Sequence, residues 1–344
     1  MNLKPIGFVI LLLLFPGPGR FTFAADNGVS VIDLEVEVRD PRFHRFLNLP
    51  VSARVLATDL GWAEGPVWVE SLQSLLFSDV AADKVYRWHE IDGLQEYLHP
   101  SGHQPDNAGS AWRGSNGLAI DAEGRLLLAQ QSARRIARMS APLNQPRAEF
   151  EILSSRFRQR SLNSPNDLVM GEGGDIYFTD PPYGLAGFEN SPERELDFFG
   201  VFRLSVDNEL ETLSTDLSKP NGIALTADQS KLYVSNSEKG AAGIYSFDLA
   251  VGPGSKAKLF FDARNLEATG AGSTDGMALH KSQNLFASVP GGVALISKSG
   301  SLLGIISLGQ VTNMAFDQCY CYLYVTTPNR LLRIPLNTDG NWSD

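Results

Sequence analysis

Short apolar runs recur along this chain about every fifty residues, each bounded by turn residues. Leu75-Leu76-Phe77, Leu126-Leu127-Leu128, Ile176-Tyr177-Phe178, Leu232-Tyr233-Val234, Leu285-Phe286-Ala287 and Leu323-Tyr324-Val325 all have strand character. Several are followed by a second run, such as Val85–Trp88, Ile136–Met139, Val201–Leu204, Ile244–Phe247 and Leu331–Ile334. Outside the amino-terminal segment no long stretch repeats with the 3.6-residue period of a helix. The pattern predicts an all-β protein.

A polar residue followed by an apolar run precedes each of the six strands. The instances begin at Glu64, Asn116, Asn166, Asn221, Asp275 and Asn313, with spacings of 52, 50, 55, 54 and 38 residues. Sheet units of ~40–50 residues are the mark of propeller blades, so the chain is read as a six-bladed β-propeller. The sixth unit lacks an obvious outer strand. Val51–Leu60, a spare strand-like segment ahead of the first unit, is expected to complete it and close the ring. The expected division is a signal peptide at 1–25, an extension at 26–50, the propeller at 51–336 and a tail at 337–344.

The first of these rests on Lys4, the apolar run Ile6–Phe15 and the small-residue site Thr22-Phe23-Ala24. The run is too short for the ~20 residues of a membrane span. An exported protein, periplasmic or secreted, is therefore expected, with no membrane attachment after cleavage. Asn341-Trp342-Ser343 matches a glycosylation sequon, a weak signal at this position.

Composition narrows the function classes. With 29 basic and 39 acidic residues the net charge is −10, which offers no footprint for nucleic acid. Cys319 and Cys321 are the two cysteines, and they cannot make a disulfide scaffold or a Cys-rich zinc site. Two residues apart in a strand they would share a face, so packed, reduced thiols are expected. No nucleophile elbow, HExxH or P-loop is present, and the five histidines (44, 89, 99, 103 and 280) show no ligand spacing. His103 sits in the Gly/Pro-rich loop 100–114, where it would at most overhang a channel mouth. Arg134-Arg135 reads as a solvated strand edge.

The innermost strand of each blade lines the central channel of a propeller. Glu64, Asn116, Asn166, Asn221, Asp275 and Asn313 should then form one ring. Its donors are all oxygen, with two carboxylates, which suits a hard divalent cation: Ca²⁺ above all, with Mg²⁺ or Mn²⁺ also compatible. The competing reading is that Asn-Gly and Asp-Gly merely make turns, and it is preferred for Asn116 and Asn313. Glu64 escapes that reading, because glutamate is a poor turn former and costly to bury unpaired.

Several stretches carry a resemblance in order and at blade spacing: AEGPVW at 63–68, GSNGLAID at 114–121, RRIARM at 134–139, LNSPNDLV at 162–169, IYFTDPPYGL at 176–185, KPNGIAL at 219–225 and TDGMAL at 274–279. Over about residues 45–336 the chain resembles the gluconolactonase and regucalcin (senescence marker protein) family of six-bladed propeller lactonases, and the bacterial gluconolactonases most of all. The resemblance implies metal ligands at Glu64, Asn221 and Asp275, with Asn166 adding to the metal shell or touching substrate. It implies one divalent cation, for which Zn²⁺ and Fe²⁺ also come into range, and a small-molecule sugar lactone as substrate. Asp275 matches the family's acid/base residue. Ser164 stands where the regucalcin branch has arginine, and Gln131 where many gluconolactonases have histidine. Sugar recognition is expected to draw on Tyr183, Asn116 and Gln131 instead.

The activity implied is hydrolysis of an aldonolactone of the glucono-1,5-lactone type, as a carboxylic ester hydrolase. The alternatives are a lactonase or esterase for another lactone, such as a pentonolactone or a more apolar ester, and a non-catalytic propeller that binds a partner. Tyr183, Phe188, Phe198 and Phe199 would favour the apolar case. They lie in the insertion 181–200, a candidate substrate wall or a packing loop. Oligomeric state is left open.

Overall fold

The computed structural model describes residues 30–102, 112–268 and 270–338. The proposed signal segment, His103 and the sequon lie outside these residues.

Six antiparallel sheets follow one another in the order of the sequence repeat. Blades 1 to 4 are four-stranded and run from inner to outer strand in chain order: Ala63–Val69 to Gly93–Leu98, Leu118–Ile120 to Phe150–Ser154, Leu168–Met170 to Leu210–Ser214, and Pro220–Leu225 to Lys258–Asp262. Blade 5 begins with Met277–Leu279 and ends with Leu302–Ser307, and blade 6 begins with Asn313–Phe316. Three strands of blade 6 come from the carboxyl end. Its fourth is Val51–Ala57, which pairs with Arg330–Pro335 and joins the two ends of the chain.

The segment preceding Val51 is built into the same sheets. Ser30–Leu34 pairs with Val51–Ala57 as a fifth strand of blade 6, and Val36–Val38 pairs with Leu302–Ser307 as a fifth strand of blade 5. Both strands alternate half-buried and exposed positions, as edge strands covering a sheet should. A 3₁₀ turn, Pro41–Arg45, follows. Its cap is Asp40, whose carboxylate accepts the Arg42 backbone N–H at 2.9 Å. The turn delivers Phe43, Phe46 and Leu47 into the core between blades 5 and 6.

Six apolar clusters, one at each junction between neighbouring blades, hold the ring together. The second strand of each blade is buried on both faces, which explains its unbroken apolar run. In blade 2, Leu126 and Leu128 pack toward blade 1 while Leu127 and Ala129 pack toward blade 3. In blades 1, 3 and 4 the last residue of that strand also ties down the loop entering its own blade. Asp79 accepts the N–H groups of Gly61 and Trp62, Asp180 that of Asn163, and Asn236 that of Lys219.

Two local expectations need correction. Cys319 and Cys321 form a disulfide, because they lie in the turn between the first two strands of blade 6 and not within a strand. Tyr320 between them takes a left-handed conformation (φ 59°), and Asp317 accepts the N–H groups of Cys321 and Tyr322. Arg134 is half-buried and does more than face solvent. Its guanidinium donates to the carbonyls of Leu162, Asn163 and Glu193 and so anchors the entry to blade 3.

Candidate cation and substrate site

The residues after the ring positions explain how the ring is built. In blades 1, 2, 4 and 5 the polar residue is followed by glycine, and each glycine abuts the backbone or ring residue of the next blade. A Cβ on Gly65 would lie 2.2 Å from the Asn116 carbonyl oxygen, on Gly117 2.9 Å from that of Asn166, and on Gly222 2.3 Å from that of Asp275. On Gly276 it would lie 2.1 Å from Asn313 Oδ1. These glycines are close-approach residues, not turn makers, and three of the four have no positive φ. Hydroxyls fix the carbonyls of three ring residues. Ser78 donates to Asn116 O, Thr179 to Asn221 O and Ser235 to Asp275 O, at 2.6–2.7 Å. The register slips around Glu64 in blade 1 and Asn221 in blade 4, a bulge that turns a side chain out of the regular alternation.

The result is a cavity of about 230 Å³ at one mouth of the channel. Glu64, Asn116, Asn166, Asn221 and Asp275 all line it, together with Gln131 and Tyr183. Asn313, the sixth ring position, does not. Its amide donates to Asp167 Oδ2 at 3.2 Å, and its Oδ1 accepts the Met314 N–H. Asn116, for which a turn role was preferred, contributes a side chain to the cavity. Its Nδ2 donates to Gln131 Oε1 at 3.1 Å, while its buried Oδ1 has no hydrogen-bond partner among the described residues.

The electrostatics are one-sided. Glu64 is buried, and its proton affinity is raised well above that of an ordinary carboxyl by burial and by repulsion from Asp275 and Asp167. Asp275 is raised likewise, by burial and by Asp167, against hydrogen bonds from the Asn221 amide and the Gly276 backbone. Asp167 is pushed up to about 6 by burial, although the Leu168 and Ile223 N–H groups and the Asn313 amide bond it. No Lys, Arg or His lines the cavity among the described residues. Clustered carboxylates with amide oxygens beside them and no basic partner are the donor set of a hard cation. Glu64, Asn166, Asn221 and Asp275 are placed to hold one.

Sequence reasoning missed the aromatic half of the cavity. Trp62 and Trp112 meet edge to face with centroids 4.8 Å apart, and Val80 and Phe188 lie with them on the lining. Trp62 and Glu64 lie together on the lining, so the aromatic wall adjoins the acid group. Both tryptophans lie in loops, where no strand period could point to them. Ser273 and Gln310 complete the polar side. Within the insertion 181–200 only Tyr183 and Phe188 reach the cavity, whereas Leu196 and Phe198 fill the core between blades 2 and 3. Tyr183 contributes its ring, because its hydroxyl is bonded to that of Ser237. Ser164 is fully buried, and its hydroxyl bridges Pro181 O and the Gly184 N–H, so it shapes the loop below Tyr183.

Comparison with known proteins places this constellation. The family model for the SMP-30/gluconolactonase/LRE-like region matches residues 62–329. The chain belongs to that family. It is 37% identical over 308 residues to a gluconolactonase of Zymomonas mobilis, covering 87% of this chain and 85% of the relative. It is 24% identical over 279 residues to the pentonolactonase XacC of Haloferax volcanii, covering 80% and 84%. Among solved structures, a gluconolactonase of Xanthomonas campestris superposes with a TM-score of 0.75 at 28% identity, over 89% of this chain and 95% of that one. The matched span begins at Trp62 and takes in every ring residue from Glu64 to Asn313.

Proposed function

We propose that the protein hydrolyses a sugar lactone of the glucono-1,5-lactone type to the open hydroxy acid, with one divalent cation at the channel mouth. The observation that carries this reading is the carboxylate pair of buried Glu64 and half-buried Asp275 in a cavity that no basic side chain lines among the described residues. The names of its relatives supply the reaction class. Ca²⁺ is the ion the all-oxygen donor set favours.

When bound, the cation supplies Lewis-acid polarisation of the lactone carbonyl. Glu64, Asn166 and Asn221 would hold it, with Asn221 and Asp275 side by side on the cavity wall. Asp275, which keeps part of its surface open to the cavity, takes a proton from the attacking water as oxygen adds to the carbonyl carbon. The carbon–oxygen bond of the ring then breaks, and Asp275 returns the proton to the leaving ring oxygen. The orphan Asn116 Oδ1 accepts a substrate hydroxyl, with Gln131 orienting its amide. Trp62 and Trp112 stack on the apolar face of the lactone ring.

Paired substitutions test the assignment. Glu64→Gln is expected to lose stoichiometric metal, and Asp275→Asn to retain metal while losing most turnover on glucono-1,5-lactone. Parental hydrolysis by both variants would dismiss the site. The aromatic wall also favours a second reading, in which the substrate is a larger or more apolar lactone. Rates on glucono-, pentono- and lipophilic lactones under pH-stat titration separate the two. Hydrolysis of none would leave a binding module. We also infer export from the segment 1–25, to be checked by sequencing the amino terminus of the mature protein.

A further inference from the structure

The glycine pattern breaks at one place beside the cation ligands. Where blades 1, 2, 4 and 5 have glycine after the ring residue, blade 3 has Asp167. A carboxylate there must be accommodated by every neighbour that a glycine would have let approach. Three alternate blades meet it. A Cβ on Gly117 of blade 2 would lie 2.7 Å from Asp167 Oδ1, the Ile223 N–H of blade 4 points to Oδ2 at 3.4 Å, and the Asn313 amide of blade 6 donates to Oδ2 at 3.2 Å. A group of blade 3 that touches blades 2, 4 and 6 at once lies at the channel axis. It is buried, it is absent from the cavity lining, and it follows the ring residue Asn166 directly in the chain.

Fold stability gives no reason for this residue. Its partners are two backbone N–H groups and a neutral amide, which an asparagine could satisfy in part with no buried charge, and no basic side chain pairs with it among the described residues. We propose that Asp167 is a third charge of the cation site. It acts through space from beneath the ligands, tightening divalent-ion binding at the expense of the cation-free fold. It is a positioning residue and touches neither ion nor substrate. This rests on the cation reading above.

The signature is a pair of opposite effects that a merely structural aspartate would not produce. Asp167→Asn is expected to raise the melting temperature of chelator-treated protein and to weaken Ca²⁺ binding about 10- to 100-fold by isothermal titration calorimetry. Asn313→Ala keeps the carboxylate and removes its amide partner. It should leave the Ca²⁺ affinity within about threefold, since outer-shell effects of ~10-fold or more are assigned here to the charge. An Asp167→Asn protein that binds Ca²⁺ like the parent, or an Asn313→Ala protein that loses affinity tenfold or more, overturns the proposal. If the parent itself shows no saturable binding of Ca²⁺, Mg²⁺, Mn²⁺ or Zn²⁺, the cation reading falls and the proposal with it.

Discussion

Gly222→Ala adds a single methyl group at the point where blade 4 meets blade 5. The new Cβ would stand 2.3 Å from the Asp275 carbonyl oxygen, 2.6 Å from Gly276 Cα and 2.9 Å from the Asp275 carbonyl carbon. All three are backbone atoms, so no side chain can swing aside. Reaching ordinary contact distance requires blades 4 and 5 to part by about 1 Å, with a packing cost of about 1–3 kcal/mol. The segment that moves carries Asp275, just ahead of the first strand of blade 5, and the strand it leaves carries Asn221, which lines the cavity beside it. A misplacement of about 1 Å at a reacting group can cost on the order of 10²-fold in rate. Gly222→Ala should therefore lower kcat on its lactone about 100-fold and weaken cation binding, while the protein stays folded at 25 °C. The assays are pH-stat kinetics, calorimetric titration with Ca²⁺ and thermal unfolding. Gly173→Ala is the control. That exposed glycine has no positive φ and nothing within 4 Å of the added Cβ, so it should change stability by less than about 0.5 kcal/mol. A Gly222→Ala protein with parental kcat and cation affinity would refute the inference that these glycines set the ring.

Asp180 provides a pH test away from the channel. Burial pushes its carboxyl up to about 7, and one oxygen has no hydrogen-bond partner among the described residues. The folded form thus holds its proton more tightly than the unfolded form, so the stability it contributes is complete below about pH 4 and is lost as pH rises toward 7, on the order of 4 kcal/mol at ~1.4 kcal/mol per unit. Urea unfolding of the cation-saturated protein at pH 4.5 and pH 8 should show Asp180→Asn gaining on the parent as pH rises, and parallel profiles would contradict this. Asn116→Ala should raise KM by about 3- to 10-fold with kcat nearly held, the worth of one neutral hydrogen bond, and an unchanged KM would remove Asn116 from substrate binding. Deleting residues 30–38 strips the fifth strands of blades 5 and 6, with Ile32, Leu34, Val36 and Val38 from the core margin. At ~1 kcal/mol or more per half-buried side chain, unfolding free energy should fall by several kcal/mol with lactonase activity kept at 25 °C. An unchanged denaturant midpoint would show those strands to be passive.

The ring was legible because each of its members repeats at blade spacing and because Glu64 makes no sense as a turn. Its construction was not. Asn-Gly and Asp-Gly pairs look like turns in isolation, and only the neighbouring blade reveals that Gly117 and Gly222 let backbones touch and that Gly276 makes room for the Asn313 side chain. Asp167 was hidden in the same pattern, although its signal is present in the chain as the one acid at a glycine position. Trp62 and Trp112 gave no warning, since entry loops carry no period, and the place of Trp62 depends on Asp79 holding the Gly61 and Trp62 backbone. The alternation from Ser30 to Val38 was a strand signal in plain view. It belongs to the sheets because apolar surface on blades 5 and 6 is left for it to cover. The two cysteines show the reverse case, where a turn inserted between them removed the geometry that a strand would have imposed.

The most direct test is to remove all metal from the purified protein with a chelator, measure hydrolysis of glucono-1,5-lactone, and then restore Ca²⁺ while counting bound ions. Activity that disappears and returns with one ion per chain is the predicted result. Hydrolysis at the full rate with no metal bound would contradict the cation site on which the proposed reaction depends.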